Sequence, residues 1–172
     1  AAVARAFVAR LDPATGDGLA SLAAGAGVAR GTSIVTAPSG NAYWAGNEQG
    51  GARLFLRRLD PDLAVINEIT PACSSCDPRV ARTLSAVAIT GGFQGSLDLA
   101  VGGPAPLIAN GGADVFVASL APHAGAFTEQ KTKKFGDGAT QIAAGIAGGA
   151  NGGLFVVGAF DGTLSMGGGK TK

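Results

Sequence analysis

The sequence predicts an all-β chain assembled from repeated four-stranded antiparallel units. Three observations lead there. First, one phrase occurs three times: Ala, two residues, Phe, an aliphatic residue, two residues, Leu, one residue, Pro, at 4–13, 52–61 and 113–122. Second, a phrase bounded by glycines follows each copy, at 46–50, 91–95 and 158–162. Two phrases recurring in fixed order mark a repeat architecture. Third, the 172 residues include 29 glycines, and only 15% are charged while 47% are apolar. That composition separates the chain from disordered segments and suits short strands with tight turns better than helices. No window carries a sustained 3.6-residue period with helix caps, which argues against an α-solenoid.

Each Ala-x-x-Phe phrase is a short apolar run ended by Pro or Asp-Pro, which reads as a strand entering a turn. After the first copy, Pro13-Ala-Thr-Gly16-Asp-Gly18 is dense turn chemistry, and 19–23 can return as the partner strand. After the third, Pro122-His-Ala-Gly125 plays that part, and 126–135 returns. A hairpin therefore opens each unit. A second hairpin follows. In the first unit 31–36 leads through Pro38-Ser-Gly40-Asn41 into 42–46, and in the third 141–147 leads through a Gly/Asn turn into 154–158. The middle unit keeps 84–90 before Gly91 but lacks the Gly-Asn turn.

The Phe anchors are 48 residues apart (Phe7 to Phe55) and then 61 (Phe55 to Phe116), the longer spacing coming from a Gly/Pro/Ala-rich insertion at 99–112. Four short strands in such a spacing match a propeller blade better than a solenoid coil of roughly 20–30 residues. The expectation is one repeat domain over 1–172, with units at 4–50, 52–112 and 113–172, the last incomplete. A propeller closes with about four or more blades. The chain therefore reads as a partial propeller, or one completed by another copy.

These residues resemble a family. Ala-x-x-Phe-Val-x-x-Leu-Asp-Pro, the later Phe135-Gly136-Asp137, and Gly-x-Phe-x-Gly-[Ser/Thr]-Leu look like the bacterial β-propeller repeats of large secreted or surface proteins, of the myxobacterial type. The likeness is clearest in the third unit and loosest in the middle one. It implies blades on an exported protein and carries over no catalytic residue.

The chemistry-bearing candidates are few. Cys73-Ser-Ser-Cys76 could close a local disulfide, remain as thiols, ligate metal or act in redox. Zinc needs four ligands, and the only histidine, His123, lies in another unit. The place of the Cys-x-x-Cys pair in an inter-strand loop favours a structural disulfide, as in exported proteins. Glycine pairs at 102–103, 111–112 and 148–149 lack phosphate-loop spacing, as does the Gly-Gly-Gly-Lys-Thr ending at Thr171. His123 follows Pro122 in a turn, without a spaced nucleophile or carboxylate. Asp98, Asp114, Asp137 and Asp161 recur near turns, where aspartates ordinarily cap backbone, and no calcium loop is present. Lys131, Lys133 and Lys134 read as a solvated strand face rather than a nucleic-acid patch, consistent with a net charge of +1.

The recurring phenylalanines Phe7, Phe55, Phe93, Phe116, Phe155 and Phe160 read as core. Tyr43 and Trp44 occur once and sit next to each other on a strand, so their side chains face opposite ways. At most one is then expected in the core, leaving the other as a possible ligand or partner surface. The expectation is a non-enzymatic scaffold that binds another protein or further copies of itself, with no cofactor and no metal. It involves no nucleic acid, has no membrane-spanning segment, and belongs to an exported protein. The alternative is a carbohydrate-binding or carbohydrate-processing module using Tyr43 or Trp44 with turn carboxylates.

Overall fold

A computed structural model describes residues 3–24, 27–99 and 105–165. Among these the chain is all-β, its strands pairing antiparallel throughout. The strands are β1 (Phe7–Leu11), β2 (Gly18–Ala23), β3 (Arg30–Thr36), β4 (Ala42–Glu48), β5 (Arg53–Leu59), β6 (Val65–Ile69) and β7 (Arg79–Arg82). They continue as β8 (Val87–Phe93), β9 (Ser96–Leu97), β10 (Leu107–Ile108), β11 (Asp114–His123), β12 (Ala126–Phe135), β13 (Gln141–Gly148) and β14 (Leu154–Phe160). Two four-stranded sheets, β3-β4-β5-β6 and β7-β8-β11-β12, lie between two hairpins, β1-β2 and β13-β14. The small β9-β10 hairpin carries the inserted segment, of which 100–104 lies outside the described residues.

The sheets run out of phase with the sequence repeat. The Ala-x-x-Phe strand opens each repeat, yet β5 and β11 are third in their sheets. Each sheet joins the second hairpin of one repeat to the first hairpin of the next. In the middle repeat the second hairpin is present without a Gly-Asn turn. Thr83 holds the turn instead, its hydroxyl accepting from the Ala86 N–H and donating to the Ala86 carbonyl, both at 3.1 Å. The strand there is 87–93 rather than 84–90.

Local chemistry explains both phrases. Asp12 accepts the N–H groups of Ala14 (2.7 Å) and Thr15 (3.2 Å), and Asp60 accepts those of Asp62 (2.9 Å) and Ala64 (2.8 Å). Both are aspartate turns closing the hairpin. The third copy has Ala121 in that place and no such acceptor. There β11 runs on through Pro122 to His123, past the expected stop, because only β12 pairs with it beyond Leu120. In the second phrase, the last glycine adopts a left-handed backbone each time (Gly50 φ 69°, Gly95 φ 66°, Gly162 φ 73°). The first glycine lies opposite the phrase's phenylalanine: Gly46 pairs with Phe55 and Gly91 with Phe116.

Two apolar layers hold the sheets. Leu54, Leu56, Tyr43 and Ala45 on one sheet meet Val80, Ile89, Phe116, Leu120 and Phe127 on the next. On the other face of the first sheet, Trp44, Phe55 and Leu59 meet Val8, Ala24 and Leu22 of the β1-β2 side. The first sheet is thus covered on both faces.

Candidate interaction surface

The alternation of a strand places Tyr43 and Trp44 on opposite faces, and both faces of this sheet are covered. Tyr43 is 5% exposed and packs at 6.5 Å from the Phe127 ring, while Trp44 is 2% exposed and packs edge-on to Phe55 at 4.9 Å. The expectation that at most one of them is buried does not hold. A sheet sandwiched between neighbours buries both parities of its strand. Beside Trp44 lies a buried cation that sequence reading did not single out. The Arg57 guanidinium sits 4.7 Å from the Phe55 ring centre and 5.6 Å from that of Trp44, and pairs with Glu48 at 2.9 Å and Glu68 at 2.5 Å. This network ties β4, β5 and β6 together.

Cys73 and Cys76 form a disulfide, with Cα atoms 5.8 Å apart, both side chains buried in the layer between the two sheets. The loop that carries them bridges the sheets. The Cys73 N–H donates to the Ala52 carbonyl, the Gln94 N–H to that of Ser74, and the Asn47 amide to that of Cys76. Next to it, the Arg79 side chain donates to the Asp77 carboxylate and holds its pKa below the usual value.

Asp137 and Asp114 are spent on structure. Asp137 accepts N–H groups from Ala139 (2.8 Å) and Thr163 (2.6 Å) and the Gln141 side-chain amide (2.9 Å), and the Ala139 N–H bond chiefly depresses its pKa. Asp114 is fully buried and pairs with Lys134 at 2.9 Å, so Lys134 is not part of a solvated face, unlike the exposed Lys131 and Lys133. His123 is exposed where β11 enters its turn, its carbonyl accepting from Asn67. The glycine pair 102–103 and the segment 167–172 lie outside the described residues.

Among the described residues, half of the exposed large apolar side chains lie on the two flanking hairpins, the rest, such as Ile34, Val65, Leu84 and Ile108, being spread over the other elements. Phe55, Phe93 and Phe116 are fully buried, whereas Phe7 is 74% exposed, Phe155 69% and Phe160 44%. Half the phenylalanines read as core are therefore open to solvent. Among the described residues β14 pairs only with β13 and β1 only with β2. Between β13-β14 and the face of β11-β12 run two adjoining hollows of about 290 and 240 Å³, lined by Val115, Val117, Phe135 and Val156 among others. The edge strand β14, Leu-Phe-Val-Val-Gly-Ala-Phe, carries no charge and no proline, the usual devices that discourage pairing with another strand. A free apolar edge beside an open apolar groove accepts an added strand through backbone hydrogen bonds and side-chain pockets. The sequence matches no family model and no curated protein.

Proposed function

We propose that the chain is a non-enzymatic scaffold of β-propeller repeats, from an exported bacterial protein, that takes up a protein partner or further copies of itself at its open sheet edge. The observation that carries this reading is the contrast between equivalent surfaces. Each full sheet is covered on a face that the flanking hairpins leave open, and the open faces carry the same apolar residue types. Exposed contiguous apolar surface of this kind marks an interaction site. What supports the propeller part is the repetition of the four-stranded pattern, with the same phrase in the third strand each time. The buried Cys73–Cys76 pair is compatible with an oxidising compartment, and no helix among the described residues is long and apolar enough to cross a membrane. Asp12, Asp60 and Asp137 serve turns and Asp114 an ion pair, which fits a scaffold.

Light-scattering mass across a concentration series tests the reading, comparing wild type with Phe155→Asp/Val157→Asp. Wild type is expected to exceed the 16.7 kDa of one chain, and the double variant to stay at it. A wild type that stays at one chain throughout, like the variant, overturns self-association.

A further inference from the structure

We propose that the occupant of the open edge is the β1-β2 hairpin of a second copy, which completes β13-β14 into the sheet β13-β14-β1-β2. The inference rests on the repeat-scaffold reading above and names its partner, register and stoichiometry.

The chain already contains this junction twice. In β4·β5, Gly46 lies opposite Phe55, Ala45 opposite Leu56, Trp44 opposite Arg57 and Ala42 opposite Leu59. In β8·β11, Gly91 lies opposite Phe116, Thr90 opposite Val117, Ile89 opposite Ala118 and Val87 opposite Leu120. Each junction joins the second-phrase strand to the Ala-x-x-Phe strand. β14 is the third second-phrase strand and, among the described residues, has no partner on its far side, and β1 is an Ala-x-x-Phe strand likewise unpaired on one side among them. Carrying the register over puts Gly158 opposite Phe7, Val157 opposite Val8, Val156 opposite Ala9 and Leu154 opposite Leu11.

The glycine is what makes the register specific. A Cβ at Gly46 would stand 2.5 Å from the Phe55 ring, and one at Gly91 would stand 3.1 Å from the Phe116 ring. The ring of each phrase therefore lies over the glycine opposite it. Gly158 is the matching glycine, its Cβ position 1.9 Å from the Ile142 carbonyl oxygen as that of Gly46 is 2.1 Å from the Arg30 carbonyl oxygen, and Phe7 is the matching ring, 74% exposed. The faces agree as well. Phe7, Ala9 and Leu11 share one face of β1, and in this register that face continues the one formed by Gly158, Val156 and Leu154, which line the hollows over Val115 and Val117. On the opposite face, Val157 (65% exposed) occupies the place that Ala45 and Thr90, both fully buried, hold in the formed sheets.

Charge is also complementary. Lys131 and Lys133 line the groove, and the turn of the incoming hairpin carries Asp12 and Asp17. The chain uses one such pair between neighbouring hairpin ends already, Arg10 with Asp62 at 3.4 Å.

Stoichiometry follows from counting. Apart from the small β9-β10 hairpin, the described residues of one copy form two complete sheets and two half-sheets, which is three units, short of the roughly four a propeller needs to close. Two copies joined head to tail at both ends make six. Both junctions are the same head-to-tail contact, which closes a ring where six units complete one turn and otherwise grows into a filament.

Two measurements test it. Light scattering is expected to give twice the 16.7 kDa chain mass, with Phe7→Asp weakening assembly by about tenfold or more, as for loss of a buried aromatic anchor. Phe7 faces solvent in the single chain, so that variant still folds. In addition, Ala9→Cys and Val156→Cys proteins are mixed and oxidised. A disulfide-linked pair is expected only in the mixture, and not when Val157→Cys replaces Val156→Cys, since a one-residue shift changes the face. Association above one chain without the 9–156 link overturns this junction and leaves the scaffold reading standing. A mass of one chain at every concentration overturns this junction and self-association alike, and leaves a different protein as the scaffold's partner.

Discussion

Single side chains in this protein do their work where a polar group meets a covered layer. Lys134 is such a case, because the Asp114 carboxylate it pairs with has no solvent access. Lys134→Met is expected to cost roughly 3 kcal/mol, since it leaves a buried charge without its cation. Lys131→Met, on the exposed side of the same strand, is expected to stay within about 0.5 kcal/mol. Urea unfolding of both variants checks the contrast. Asp137 gives a pH-dependent counterpart. Its hydrogen bonds favour the charged form, so the folded pKa lies below the unfolded value of 3.8. The stabilisation is therefore fully present above the unfolded pKa and is lost as pH falls through the folded one. Asp137→Asn is expected to lower stability at neutral pH and to flatten the fall between about pH 5 and about pH 2. Denaturant midpoints at a series of pH values measure it.

Among the strands, what decides the weight of a residue is which neighbour covers its face, not the motif it belongs to. Phe116 and Phe7 hold the same position in the same phrase, one fully buried and one 74% exposed. In the dilute single chain Phe116→Ala is expected to cost about 3–5 kcal/mol through the cavity it leaves, and Phe7→Ala less than about 0.5 kcal/mol. Equilibrium unfolding at low protein concentration compares them, and similar losses would contradict the burial of one and the exposure of the other. The same reasoning accounts for Tyr43 and Trp44. Strand alternation was legible and correct, but the number of covered faces is a property of the neighbouring sheets. The turn chemistry, by contrast, was legible residue by residue. Asp12 and Asp60 close turns where Asp-Pro stands, and the strand overruns its proline where Ala121 removes the acceptor.

Taken over the described residues and apart from the small β9-β10 hairpin, the protein is two four-stranded sheets and two open two-stranded hairpins. If assembly couples to folding, the melting temperature rises with protein concentration, because whatever binds only the folded chain stabilises it. Wild type is expected to show that rise and Phe7→Asp a flat response, read by scanning calorimetry over a wide dilution series. A flat response in both would place the open faces outside any self-assembly. The disulfide sits in the only loop that links the two complete sheets along the chain, so it fixes the joint between them rather than a peripheral turn.

The repeat and most strands and turns of the first and third units were determined by the sequence alone, because alternation, proline, glycine and Asp turns act within a few residues of the backbone, whereas the middle unit's second hairpin lies at 79–93 with Thr83 in its turn. The recurring pair of a glycine phrase and a phenylalanine phrase was visible too, though not that the two stack across a strand pair. Only the tertiary structure decided which hairpins share a sheet, that Arg57 is a buried cation and Asp114 a buried carboxylate paired with Lys134, and which phenylalanines are covered. Those outcomes depend on which edge and which face is left free once the sheets have packed. A strand carries no local mark of that, since the same phrase is core beside a neighbour and surface without one.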